Sequence, residues 1–188
     1  MKDISLHLMD IIQNSITAQS TRIDTVIIAD LQANMLEITI SDNGVGMDKE
    51  FLRNVTNPFV TTRTTRKVGL GVPLFMDSAK RTGGYFIIES EKKIGTTLKA
   101  GFVIDNIDRL PLGDISETIT GVILTNPEIE FGLLLDNKTS QCRFSTSEVK
   151  EKLGGVPINH LDVIAWIREY IDEGIKTIFG GVLDEIVS

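Results

Sequence analysis

The runs IDTVIIADL (23–31) and MLEITISD (35–42) are joined by a short QAN link. Both are rich in strand-forming residues and together predict an antiparallel hairpin. The second run leads straight into Asp42-Asn43-Gly44-Val45-Gly46. A hairpin turn would need only Asn-Gly. An acidic residue, an asparagine and two glycines at a strand end therefore ask for a further purpose.

The flanking segments supply a context for them. Residues 4–19 carry Ile4, Leu8, Ile11, Ile12 and Ile16 at helical spacing, which predicts an amphipathic helix. Residues 47–55 read as a short helix with Asp48 near its start. Residues 56–71, rich in Thr, Arg and Gly, follow neither period and read as a mobile loop. Residues 72–84 read as a helix with Pro73 in its first turn and Gly83-Gly84 as its stop. A second hairpin spans 85–91 and 95–104. After a shift in composition at 105–114, the runs 117–126, 129–137 and 140–145 read as three strands. Two helices close the chain. One is at 147–154, with a capping box from Ser145 to Glu148, and the other at 160–179, after Asn159.

Composition narrows the function. A net charge of −7 argues against a general nucleic-acid binder, which needs a basic field. With 41% hydrophobic and 24% charged residues the chain is an ordinary globular protein. No apolar run is long enough for a signal peptide or membrane helix, so a cytoplasmic protein with no membrane association is expected. The single cysteine, Cys142, rules out a disulfide within the chain and a cysteine metal cluster, and reads as a half-buried strand residue.

Three clusters carry chemistry. Asp10 and Asn14, four apart on the first helix, project from one face. A carboxylate and a carboxamide side by side suit Mg²⁺, a hard ion that keeps waters and takes phosphate oxygens. Asp42, at a strand end, can accept a hydrogen bond from an amino group such as that of adenine. Gly44 and Gly46 beside it lack a Cβ and leave room for a flat base. Gly69-Leu70-Gly71 opens a helix, where free N–H groups and the helix dipole attract phosphate, and Arg63, Arg66 and Lys67 stand just upstream. Taken singly, each fits a bland reading: a solvated stripe, a hairpin turn, a loose glycine turn. No phosphate loop of the G-x-x-x-x-G-K-[ST] kind occurs.

In order and spacing, however, the clusters resemble the boxes of the GHKL superfamily of ATP-binding domains, which includes gyrase B, histidine kinases and the mismatch-repair ATPases. The matching residues are Asp10, Asn14 and Ala18; Asp42 to Met47; Asn57 to Thr62; Gly69 to Gly71; and Gly95 to Thr97. The resemblance covers roughly residues 3–104. It implies an α+β fold, a Bergerat-type α/β sandwich with a mixed or antiparallel sheet. Helices at 4–19, 47–55 and 72–83 would cover one face, followed by a small C-terminal α+β extension at 105–188. It also implies ATP or ADP as ligand, with Mg²⁺ held by Asn14. Asp42 would take the adenine amino group, Gly44, Gly46 and Met47 would shape the base site, and Thr97 would add a hydroxyl. Residues 56–71 would be the lid, bringing Thr62, Arg63, Lys67, Gly69, Leu70 and Gly71 to the phosphates.

The resemblance pulls two ways. NSITAQSTRID (14–24) looks like the mismatch-repair ATPases, whereas NPFVTTR and VGLGVPLFMDSAKRTGG look like histidine kinases. Asp10 stands where gyrase-type ATPases carry a catalytic Glu and is one methylene shorter, so it either hydrolyses ATP slowly or only helps order Mg²⁺. His7 and His160 read as surface or capping residues, and no room is expected for a phosphoacceptor segment before the first helix. The expectation is a stand-alone ATP-binding protein that phosphorylates or regulates a partner protein in signal transduction. The rivals are a slow ATPase switch and a nucleotide-sensing adaptor. The apolar stripe of Trp166, Ile167, Tyr170 and Ile171 is core, or else a partner or homodimer surface.

Overall fold

The structure, a computed structural model, describes residues 2–56 and 70–183. Helix α1 (Ile4–Thr17) starts at Asp3, whose carboxylate accepts the Leu6 N–H at 3.0 Å. Its buried stripe of Ile4, Leu8, Ile11 and Ile12 follows the helical spacing of the sequence. Strands β1 (Arg22–Asp30) and β2 (Met35–Asp42) form the expected hairpin, with Ile23, Ile27, Leu36, Ile38 and Ile40 on the buried face. Asp48 caps the short helix α2 (Lys49–Asn54) by accepting the Phe51 N–H at 2.8 Å. Helix α3 (Gly71–Arg81) and the hairpin of β3 (Tyr85–Glu91) and β4 (Gly95–Val103) follow.

Residues 117–126, expected as a strand, belong to helix α4 (Ile115–Thr125). Its β-branched composition misleads, because packing decides. Ile115, Ile119, Val122 and Ile123 fall on one buried face at helical period. The Asp114 carboxylate accepts the Glu117 N–H at 2.7 Å, and the Thr120 hydroxyl donates to the Ser116 carbonyl at 2.6 Å. Strands β5 (Glu130–Asp136) and β6 (Gln141–Ser145) and helices α5 (Thr146–Lys152) and α6 (Leu161–Phe179) complete the chain. The expected Ser145–Glu148 box does not form: Ser145 stands at the N-cap, but its hydroxyl pairs with that of Ser147 at 2.7 Å and caps no backbone N–H. His160, not Asn159, caps α6.

The sheet order is β3-β4-β2-β1-β5-β6, antiparallel except where β5 runs parallel to β1. This is the mixed α+β sandwich that the sequence predicts. The helix layer is broader than expected, since α4 packs on α1 and α6 packs on α4, beside α3. Half-buried Cys142 sits on β6, as expected. The segment at 105–114 is tied down rather than loose. The Arg109 guanidinium is buried and donates to the carbonyls of Ile104 (2.6 Å) and Leu183 (3.1 Å). Residues beyond 104 thus extend the same sheet and share its apolar core.

Candidate functional site

The end of β2 lies against the C-terminal half of α1, and the contact is polar. The buried Ser15 hydroxyl donates to Asp42 Oδ2 at 2.7 Å, and the Gly44 N–H donates to Asp42 Oδ1 at 2.9 Å. Asn43 turns the other way. Its Oδ1 accepts the N–H groups of Thr21 and Arg22, both at 2.9 Å, which pins the turn to the start of β1. A Cβ on Gly44 would stand 2.7 Å from the Ala18 carbonyl oxygen. Gly46 has φ +63, and a Cβ there would stand 2.0 Å from the Glu91 carbonyl oxygen. Both glycines are therefore required by the protein's own backbone, a different reason from the expected room for a base.

A cleft of about 380 Å³ opens beside Asp42. That volume is within the range of small-molecule sites. Ile40, Val45, Val72, Ile88 and Leu98 give it apolar walls, and Asn14, Asp42 and Thr96 supply polar groups. Of the residues expected from the sequence, Asn14, Asp42, Gly46 and Met47 line it together. The Met47 N–H donates to Ser90 Oγ at 2.9 Å, and the same hydroxyl lies 2.9 Å from Thr96 Oγ1. Gly44 braces the turn from behind.

Thr97 is not brought into the cleft. Strand register sets Thr96 opposite Asp42 and Thr97 opposite Ser41, so the Thr97 side chain lies on the other face, 3.1 Å from the Ser41 hydroxyl. Asp10 is exposed and does not line the cleft, but it faces the first turn of α3. A Cβ on Gly71 would stand 2.9 Å from Asp10 Cβ and 3.1 Å from Asp10 Oδ2. Exposed Leu70 is the N-cap of α3, where no side chain caps the helix and no acidic residue occupies the first turn. Val72, in that turn, reaches the cleft wall. Thr62, Arg63, Lys67 and Gly69, with Arg66, lie outside the described residues.

His7 also departs from expectation. It is buried, not at the surface, and stacks on Phe75 with ring centroids 5.2 Å apart. Burial pulls its pKa down to about 4, so the ring is neutral at physiological pH. Sequence reasoning passed over Ser15 and Thr96. Ser15 had a signal: it falls on the apolar stripe of α1, four residues after Ile11. Thr96 had only its place in the Gly95 to Thr97 box; the choice between it and Thr97 was not legible, because β4 pairs with a strand far away in sequence and its register cannot be counted from a turn.

Residues 2–106 match the family described as histidine kinase-, DNA gyrase B-, and HSP90-like ATPases. The chain belongs to that family. A putative sensor protein of Shewanella frigidimarina is 34% identical over 103 residues, which is 54% of this chain and 16% of that protein. The DNA mismatch repair protein MutL of Lacticaseibacillus casei is 42% identical over 59 residues, 29% of this chain and 9% of that protein. The chain thus spans a small part of the length of these ATPase-family relatives. A solved N-terminal domain of a DNA repair protein superposes with a TM-score of 0.56 at 15% identity, over 76% of this chain and 52% of that one. That likeness is one of fold. Among the described residues no helix is long and apolar enough to cross a membrane.

Proposed function

We propose that the chain binds ATP with Mg²⁺ in this cleft and acts on a partner protein by phosphotransfer or by a nucleotide-dependent contact. The observation that carries the reading is the meeting of Asn14, Asp42 and the wall residue Val72, from the uncapped first turn of α3, at one apolar-walled cleft. Asp42 accepts the adenine amino group, and Gly46 and Met47 bound the ring. Thr96, on the same face as Asp42, supplies the hydroxyl that the motif assigned to Thr97. The N–H groups of Gly71 and Val72, with no side-chain cap, face the phosphates; Pro73 has none to offer. Arg63 and Lys67, with Thr62, Gly69 and Leu70, are assigned to the phosphates by motif alone.

The donors fit Mg²⁺. Asn14 offers a hard oxygen at the cleft, and the Asp10 carboxylate lies one helical turn away. Among the described residues no group of three or more His, Cys, Asp or Glu forms a metal cage. Such an ion would therefore be held mostly by phosphate oxygens and water. When bound, it supplies charge neutralisation for phosphoryl transfer. Asp10, facing Gly71, orders a water or the ion. The resemblance of 14–24 to mismatch-repair ATPases favours a second reading, a slow ATPase switch in which this junction senses the γ-phosphate.

Two measurements with γ-³²P-ATP separate the readings. Label that appears on a protein of the native lysate only when the chain is added, and not with Asp42→Asn, supports action on a partner. Steady phosphate release by the purified chain alone, lost in Asp10→Asn, supports the switch. Unchanged ATP affinity in Asp42→Asn would refute both.

A further inference from the structure

We infer that a second copy of this chain docks on the groove between β6, α5 and α6, in a two-fold contact that seats Trp166 of each copy against the apolar wall of the other. The inference does not rest on the nucleotide reading. The family match ends at residue 106, and the groove is built from residues between 143 and 170. Strand β6 closes one end of the sheet, while the cleft draws on β2, β3 and β4 at the other end.

The apolar stripe expected on α6 divides. Ile167 and Ile171 are buried in the core, whereas Trp166 is 51% exposed and Tyr170 37%. These two rings stack with centroids 5.6 Å apart, and Tyr170 lies 6.4 Å from the buried ring of Phe144. The Tyr170 hydroxyl donates to the Arg143 carbonyl at 2.9 Å, which ties α6 to the edge strand β6. Both exposed rings are thus held before any partner arrives, and covering them costs little in ordering. Beside them opens a groove of about 480 Å³, walled by Phe144, Val149, Leu153 and Val163. A lone exposed apolar side chain needs no explanation. A fixed Trp–Tyr pair at an apolar recess is the kind of feature on which protein contacts centre.

Charge selects the occupant. Two acids, Glu148 and Asp162, and two bases, Arg143 and Lys152, stand around the groove. Among the described residues Arg143, Glu148 and Lys152 form no ion pair, and the Asp162 carboxylate reaches only His160 Nδ1, at 3.7 Å. Lys150, on the same helix as Lys152, is by contrast taken up by Glu130 at 2.6 Å. A two-fold contact sets one patch against itself, so the patch must carry both halves of every interaction. This one does: projecting rings and a recess, acids and bases. The chain as a whole carries a net charge of −7, which repels a second copy, but this patch is locally neutral. A partner with a different surface would need only one half of each pair here.

The test follows mass and the single tryptophan together. Sedimentation velocity of the full chain is expected to show half-association on the order of 10 µM, as small interfaces give. Trp166 emission should move to shorter wavelength along the same curve, because the indole leaves water. Trp166→Ala is expected to raise the dissociation constant at least about tenfold. Arg143→Glu with Lys152→Glu makes the rim wholly acidic, and Glu148→Lys with Asp162→Lys makes it wholly basic. Each double variant alone is expected to stay monomeric at about 100 µM, and an equimolar mixture of the two to regain the mass of a dimer. Circular dichroism and urea midpoints check that each variant folds. Should a charge variant unfold, wild type against Trp166→Ala decides. A wild-type chain that is still monomeric at about 100 µM overturns the inference. So does a dimer that Trp166→Ala leaves unchanged, and so do folded charge variants that fail to restore each other on mixing.

Discussion

His7 shows what one buried ring does to a pH profile. It is 3% exposed, and its Nδ1 has no hydrogen-bond partner among the described residues. Burial pulls the folded pKa to about 4, against 6.5 for a free imidazole. Above pH 6.5 both states hold a neutral ring and the residue adds no slope. Between 6.5 and 4 the unfolded chain binds a proton that the native chain refuses, so stability falls as pH drops through that window. The accumulated loss is about 3 kcal/mol at the lower end. His7→Phe should flatten this slope, which urea midpoints at pH 7 and pH 5 will measure. Parallel slopes in wild type and variant would show that His7 is not the source. At the cleft, Asp42→Asn should weaken ATP binding about a hundredfold. In the proposed binding mode it replaces a charged acceptor of the adenine amino group, and half of the new amide is a donor. Titration with a fluorescent ATP analogue checks the loss.

At the scale of elements, turns and caps carry the predictions. Gly46→Ala places a methyl 2.0 Å from the Glu91 carbonyl at a φ of +63, so the 42–47 turn cannot close on β3. A loss of about 3 kcal/mol is expected, read as a lower urea midpoint, with nucleotide binding lost in the same variant. Asp114→Ala removes the α4 cap and should cost about 1 kcal/mol. The exposed Arg168–Asp114 pair adds little to that figure. These two elements also show what could be read from the chain alone. The Asp42–Gly46 turn was legible because its residue types leave few conformations, although their physical purpose, close approach of β3 and α1, needed coordinates. Helix α4 was not. Its Ile, Thr and Val content suits a strand, and only contact with α1 and α6 makes the helical face the buried one. Ser15 was half-legible, a polar residue on an apolar stripe whose partner lies 27 residues away.

For the molecule as a whole, the deciding contact is β5 against β1. The sequence broke at 105–114 in composition, yet the chain crosses back and lays β5 parallel to the first strand of the family-matched segment, Ile23 beside Phe131 and Ile27 beside Leu135. Those four side chains are buried in one apolar cluster that also takes in α1, α4 and α6. Splitting the chain after residue 104 would bare the β1 edge and one side of that cluster, and a bare, long apolar edge promotes association. We expect one cooperative unfolding transition. The single tryptophan, Trp166 on α6, reports on the C-terminal half, while far-UV circular dichroism reports on all elements. The two curves should share a urea midpoint and shift together when ATP and Mg²⁺ are added, because a ligand that binds the native state stabilises everything folded with it. A tryptophan transition that precedes the other and ignores nucleotide would divide the molecule in two. It would also deny the C-terminal half any part in reporting which nucleotide is bound.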